Sequence, residues 1–285
     1  MKYKHKNWLT GYLLITPFIL GFLVFYFVPY ILSVGLSFTH GIGTRTFVGL
    51  DNYKSLFQSE AFLLAGGNTL MFTAIAIPLI FAVSLLLALF LNEKLKKIEI
   101  FRSIFIVPLV LPTASVILFW QIIFEDKGLV NLLISKIGVS EISFINSNYS
   151  MLIIIIIYIW KYAGYNIILL LSGLNSISRE YYENAQIDGA TKIKSFFTIT
   201  LPLLAPVSFL VLILSFINSL KIYREIYLLA GAYPHERIYM LQHFMNNNFR
   251  NLNYQRLTSA STLISIIIIG VILFLYYRQR KADVS

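Results

Sequence analysis

The sequence contains no cysteine, so disulfide frameworks and thiolate metal sites are excluded. It is poor in charge, with 13% Asp, Glu, Lys and Arg, where a soluble domain carries about 25%. Its histidines, His5, His40, His235 and His243, are scattered and form no H-E-x-x-H pair of the kind that binds catalytic zinc. No G-x-x-x-x-G-K-[ST] run is present, so the chain lacks the loop that cradles nucleotide phosphates. No serine is legibly paired with a histidine and an acid. The reading is therefore a protein that is not an enzyme and needs no cofactor. Strand-type alternation, low-complexity linkers and convincing internal repeats are absent as well, which argues against a β-barrel.

What the sequence has is long apolar runs. Of its 285 residues 58% are hydrophobic, and mean hydropathy is +0.75. A helix needs about 20 apolar residues to cross the hydrocarbon core. Six runs qualify: Leu9–Leu32, Asn68–Leu91, Ser103–Phe124, Ser150–Leu174, Leu201–Leu220 and Thr258–Tyr277. The expected fold is all-α, with six transmembrane helices. Pro17, Pro29, Pro78, Pro108, Pro112 and Pro206 lie within these runs, and membrane helices tolerate proline where neighbours re-satisfy the backbone. The first run is too long for a signal peptide and no small-residue cleavage site follows it. It is expected to be retained.

The net charge of +10 raises the question of a nucleic-acid partner. Its distribution answers it. With the N-terminus inside, segments 1–8, 93–102, 175–199 and 278–285 hold 13 Lys and Arg in 51 residues. Segments 33–67, 125–149 and 221–257 hold 9 in 97. The assigned inside is more than twice as dense, as the positive-inside rule requires. The charge is a topology signal, and both termini are expected in the cytoplasm of a cell-membrane protein.

Segment 175–199 is the most polar stretch between two spans. Arg179, Glu180, Glu183, Asp188, Lys192 and Lys194 would each cost about 2.5–3.5 kcal/mol at the bilayer centre. Ser178 suits an N-cap and Glu180 the first turn of a short helix. Tyr181, Ala185 and Ile187 can line one face of that helix. Gly189 permits a tight turn. A second amphipathic piece follows, with Ile193, Phe196, Phe197 and Ile199 apolar, and Pro202 opens the next span. Phe196 and Phe197 need a cover, either their own bundle or a partner protein.

In this loop the sequence resembles the permease subunits of ABC importers. Glu183, Ala185, Asp188, Gly189, Ala190, Ile199, Leu201 and Pro202 match the family's EAA loop at its spacing, with Asn184 in place of the usual second alanine. The resemblance runs along nearly the whole chain. FVGLDNY (Phe47–Tyr53), FRSIFIVPLVLP (Phe101–Pro112), Trp120 with Gly128–Asn131, and WKYAGYNIILLLSGLNSI (Trp160–Ile177) are similar to the carbohydrate-uptake permeases. The start of the chain resembles the maltose-F type of subunit more than its usual heterodimer partner, without the large periplasmic insertion of the enteric subunit. The resemblance implies a type I importer permease fold, with the loop at about 178–202 as a coupling helix seated in a cytoplasmic ATPase. It also implies a second, homologous permease as heterodimer partner, an extracytoplasmic solute-binding protein, and a sugar or related solute as cargo. In this organisation residues 1–67 form the N-terminal tail, first span and outside loop. Residues 68–277 form the transmembrane domain and 278–285 the tail.

For the solute pathway the residues to consider are Lys161, Tyr162, Tyr165 and Asn166 in the fourth run and Asn218 in the fifth. An ionisable residue at membrane depth points to a pathway. The alternative for Lys161 is pairing with backbone carbonyls or snorkelling. A rival to the importer, an ion-gradient-driven secondary transporter, is expected to carry acidic residues inside its spans, and the six runs contain none.

Overall fold

The computed structural model describes residues 2–41, 45–92 and 98–282. In chain order the helices are α1 (Lys2–Phe22), α2 (Val28–Ser37), α3 (Asp51–Phe57), α4 (Glu60–Asn92), α5 (Ile98–Val110), α6 (Thr113–Phe124) and α7 (Leu129–Ser135). They continue with α8 (Ser150–Asn175), α9 (Arg179–Ile187), α10 (Lys192–Ser195), α11 (Leu201–Leu203), α12 (Ala205–Leu220), α13 (Tyr223–Ala230), α14 (Leu241–Arg250) and α15 (Tyr254–Ala282). A π-type turn over Leu23–Phe27 joins α1 to α2. The only sheet among the described residues is a two-residue antiparallel pair, β1 (Thr39–His40) with β2 (Thr46–Phe47). The fold is all-α, as the apolar runs require.

Among the described residues five helical stretches are long and apolar enough to cross a membrane: Thr10–Ser37, Glu60–Asn92, Ser150–Asn175, Ala205–Ala230 and Tyr254–Phe274. The third expected run is different. It is broken into Ser103–Val110 and a part beginning at Thr113, bent by 100°, and counts as a sixth span only if both parts are taken together. Proline explains the break. Pro112 has no N–H for the carbonyl of Pro108 four residues back, and it disfavours helical backbone at Leu111. Pro112 itself is extended, with φ −55° and ψ 133°. The fifth run also differs. Helix continues past Leu220 through α13 to Ala230, which brings Glu225 into a spanning stretch. The expectation of spans without acidic residues fails there, because polar residues at 221–225 mask the continuation. Of the segments assigned inside, 93–97 and 283–285 lie outside the described residues.

The chain packs into two units. One comprises residues 1–62 and 245–270. Its centre is polar. The buried Asn52 of FVGLDNY donates to the carbonyls of Ser37 and Thr39, both at 2.9 Å. Ser259 Oγ also donates to the Ser37 carbonyl, at 3.3 Å, and Ser37 Oγ lies 2.6 Å from Tyr53 Oη. The two bonds to Ser37 occupy a carbonyl at the end of α2 that the helix itself leaves open. None of the most apolar 18-residue stretch of the first span is buried within the unit.

The other unit comprises residues 63–244 and 271–285. Its core runs along α8, where Ile154, Ile157, Tyr158, Leu170 and Leu171 are fully buried. Helices α5 and α12 pack on α8, and α13 packs on α6. The α5–α8 contact depends on Gly164. A Cβ there would fall on the carbonyl of Phe105, so the backbones meet with no side chain between them. Small residues permit such approach between membrane helices, where packing rather than hydrophobic burial drives association.

Candidate functional site

Two places bring the singled-out residues together. The first is the polar loop. Ser178 caps α9, its Oγ accepting from the Glu180 N–H at 3.4 Å. Gly189 has φ +76°, the left-handed region that glycine occupies without strain. The Gly189 N–H donates to the Gln186 carbonyl at 3.1 Å and the Ala190 N–H to the Ala185 carbonyl at 2.8 Å. This pair of bonds is the Schellman closure of a helix end. Thr191 then caps α10, accepting from the Lys194 N–H at 3.3 Å. A wide turn over Phe196–Thr200 leads through Leu201 and Pro202 into the next span.

The inner face of this loop is not the expected one. Tyr182, not Tyr181, turns inward, and its hydroxyl lies 3.0 Å from Thr200 Oγ1. Tyr181 and Ile187 are exposed. The two phenylalanines divide. Phe196 packs against the core while Phe197 is exposed, with their rings edge-on at 5.0 Å. A cleft of about 440 Å³ lies behind the loop, lined by Leu89, Asn92, Leu174, Tyr182, Lys192 and Phe196 among others. Glu183 and Asp188 are exposed, Ala185, Ala190 and Ile199 half-buried. A polar knob results, with the apolar side chains Tyr181, Ile187, Ile193 and Phe197 on its surface.

The second place is the face of α8 toward α12. Tyr158 Oη donates to the Ser215 carbonyl at 2.7 Å, and Asn166 Nδ2 donates to Ser215 Oγ at 2.9 Å. The Tyr158 and Tyr162 rings lie 5.2 Å apart. Thr73 Oγ1 and Ser219 Oγ approach to 3.3 Å. Tyr162 and Asn166 are buried, Asn218 is half-buried and Tyr165 is exposed. Ser215 and Ser219 are the joints of this polar ladder.

Lys161 is buried and pairs with a carboxylate. Its Nζ lies 2.5 Å from Glu225 Oε1 on α13 and 3.0 Å from Thr113 Oγ1 at the start of α6. Neither backbone carbonyls nor snorkelling satisfies it. The partner was not legible from sequence, because Glu225 reads as part of a polar loop. Among the described residues Glu225 Oε2 is buried with no hydrogen-bond partner within normal geometry. Breaking a buried pair by removing one member generally costs about 3–5 kcal/mol.

A further buried group lies outside the spanning helices, on α14. His243 Nδ1 accepts the Met240 N–H at 3.2 Å, so the neutral ring carries its proton on Nε2. Its ring centroid is 4.6 Å from that of Tyr223 and 5.7 Å from that of Tyr239. Burial pushes its pKa down to about 4. The unfolded chain binds a proton below about 6.5 while the folded chain refuses it. The contribution of His243 to stability is therefore full above pH 6.5, falls as pH drops from there toward 4, and levels off below. Thermal unfolding in detergent across pH 7.5 to 4 should show this fall. His243→Asn, which keeps an acceptor for Met240, should flatten it.

The structure is thus an all-α membrane chain with a broken span, a close-packed central helix and a capped polar knob. Residues 80–282 match the family described as binding-protein-dependent transport system inner membrane component. The arabinooligosaccharides transport system permease protein AraP of Bacillus subtilis (strain 168) is 37% identical over 223 residues, covering 76% of this chain and 71% of that protein. The trehalose/maltose transport system permease protein MalF of Thermococcus litoralis is 32% identical over 273 residues, 94% of this chain and 92% of that protein. A chain from the crystal structure of a bacterial ABC transporter that imports the acidic polysaccharide alginate superposes with TM-score 0.85 at 27% identity, covering 98% of both chains. The chain belongs to the family of binding-protein-dependent transport system inner membrane components, and its fold is that of the type I ABC-importer permeases. The secondary-transporter alternative is thereby set aside, although Glu225 lies in a spanning stretch.

Proposed function

We propose that the chain is a permease subunit that lines the translocation pathway for a sugar or oligosaccharide, with ATP hydrolysed by separate cytoplasmic subunits. The observation that carries this reading is the loop 178–202. It is polar, capped at both helices and closed by Gly189, yet it presents Tyr181, Ile187, Ile193 and Phe197 to the surface. Apolar side chains on a rigid polar knob fit a groove in another protein. In this reading Glu183, Ala185, Asp188, Gly189, Ala190, Ile199, Leu201 and Pro202 form the coupling element, and residues 68–277 form the transmembrane domain. ATP-driven closure of the ATPase moves the knob and its spans as a body. Both termini then lie in the cytoplasm, as the lysine and arginine density favours.

The sugar class is supported by the relatives, named for arabinooligosaccharides and for trehalose and maltose. The alginate transporter has been crystallised with a periplasmic protein carrying an alginate pentasaccharide, which supports an extracytoplasmic binding protein as partner here. The exposed apolar faces of the first span, from Tyr12 to Leu32, favour contact with lipid and with a second, similar permease. For the pathway we place Tyr162, Tyr165, Asn166 and Asn218 along the α8 and α12 faces, with Lys161 beside them.

Gentle detergent purification of the tagged chain, followed by mass spectrometry, tests the assembly. A P-loop ATPase and a second permease bearing the same loop should come with it; a chain recovered alone, moving solute without ATP, would overturn the reading. Glu183→Lys should lower ATPase recovery about tenfold, the scale of 1.4 kcal/mol. Unchanged recovery would remove Glu183 from the contact.

A further inference from the structure

We propose that Lys161 and Glu225 are positioning residues. Their ion pair, together with Thr113, holds the second half of the broken span against α8, and Lys161 does not itself meet the solute. One turn of α8 touches both halves of that span. Gly164 takes the backbone of α5 at Phe105, and Lys161 reaches Thr113, the first residue of α6, at 3.0 Å. Glu225 closes the arrangement from α13, which packs on α6. The 100° bend at Leu111–Pro112 is thus held on each side by residues three positions apart on α8.

The chemistry makes the hold firm. The side chains of Lys161 and Glu225 are 7% and 2% exposed, so neither charge is hydrated. Parting them in a low-dielectric interior strands both. Glu225 Oε2 has no hydrogen-bond partner within normal geometry among the described residues, and besides Lys161 at Oε1 the carboxylate interacts with the Tyr162 side chain. The other groups nearby are Tyr162, whose ring centroid is 5.4 Å from Nζ, and the exposed Arg224 beside Glu225. With Nζ buried and given to Glu225 and Thr113, a solute could reach it only by breaking the pair. Tyr162, the next residue, stands on the face assigned to the pathway. The pair therefore sets where α6 lies relative to that face.

This assignment rests on the permease reading only for the role of α8 as a pathway wall, so its test measures distances rather than uptake. The chain has no cysteine, and Ile104 on α5 and Leu118 on α6 are exposed. Ile104→Cys with Leu118→Cys takes two nitroxides across the bend, and pulsed EPR in lipid nanodiscs reads their separation. The parent pair should give one narrow distribution. Glu225→Gln and Lys161→Gln should each broaden it about twofold, and the swap Lys161→Glu with Glu225→Lys should narrow it again. Singles that match the parent, or a swap as broad as the singles, would overturn the assignment. If the singles yield no folded protein, recovery of folded protein by the swap supports the pair and failure of the swap overturns it. A parent with a narrow distribution that, on gentle purification from its membrane, brings neither a P-loop ATPase nor a second permease with it would count against the permease reading and leave this one standing.

Discussion

Gly189→Pro is expected to leave the chain inserted in the membrane and to abolish solute uptake. Gly189 sits at φ +76°, and proline is locked near −65°. The substitution also deletes the N–H that donates to the Gln186 carbonyl. The Ala190 bond to Ala185 is then lost with the turn, and α10 leaves α9 in a different direction. No atom of the described residues lies within 4 Å of a Cβ built on Gly189, so backbone conformation rather than space is the constraint. Gly189→Ala should accordingly cost only about 1–2 kcal/mol of local strain and keep much of the uptake. The check is uptake in membrane vesicles normalised to the amount of inserted chain. Full uptake by the proline variant would mean that the geometry of the loop does not transmit motion.

Gly164→Val acts on folding rather than coupling. The first added carbon would fall on the carbonyl of Phe105. Both sides of that clash are backbone in helices, so no side chain can swing aside. Helices α5 and α8 must separate, and the pairing of Lys161 with Thr113 and Glu225 one turn away is disturbed with them. The expected loss is about 3 kcal/mol or more, with little monodisperse protein recovered in detergent and a lowered Tm for what remains. Gly270→Ala is the matched control. A Cβ at Gly270 meets no atom of the described residues within 4 Å, and alanine favours a helix interior by about 1 kcal/mol over glycine. Equal recovery of the Gly164→Val variant and the control would show that the two backbones are not in obligatory contact.

Much was legible in the sequence. Five of the six apolar runs are spanning helices because a run of that length has one stable state in a bilayer. The ends of the polar loop were legible for a similar reason. Ser178 and Gly189 act through their own backbone neighbourhood, and their roles follow from residue type and spacing. The inward face of α9 was missed. Tyr181 and Tyr182 are adjacent and chemically alike, and only the position of Thr200 selects Tyr182. The division between Phe196 and Phe197 has the same origin.

Glu225 shows the limit most clearly. Lys161 announced itself, because a lone lysine in an apolar run has to be compensated. Its partner lies 64 residues away, in a segment whose polarity reads as a loop. The break at Pro112 belongs between these cases. A proline in a membrane helix permits a kink, but its 100° size depends on α8, which holds Phe105 at Gly164 and Thr113 at Lys161. The sequence by itself determined the all-α membrane class, the number of apolar runs and the caps of the polar loop, because these follow from local periodicity, length and backbone preference. The tertiary structure alone decided which tyrosine turns inward, how sharply the third span bends and which acid answers Lys161, because each depends on groups brought together across the bundle.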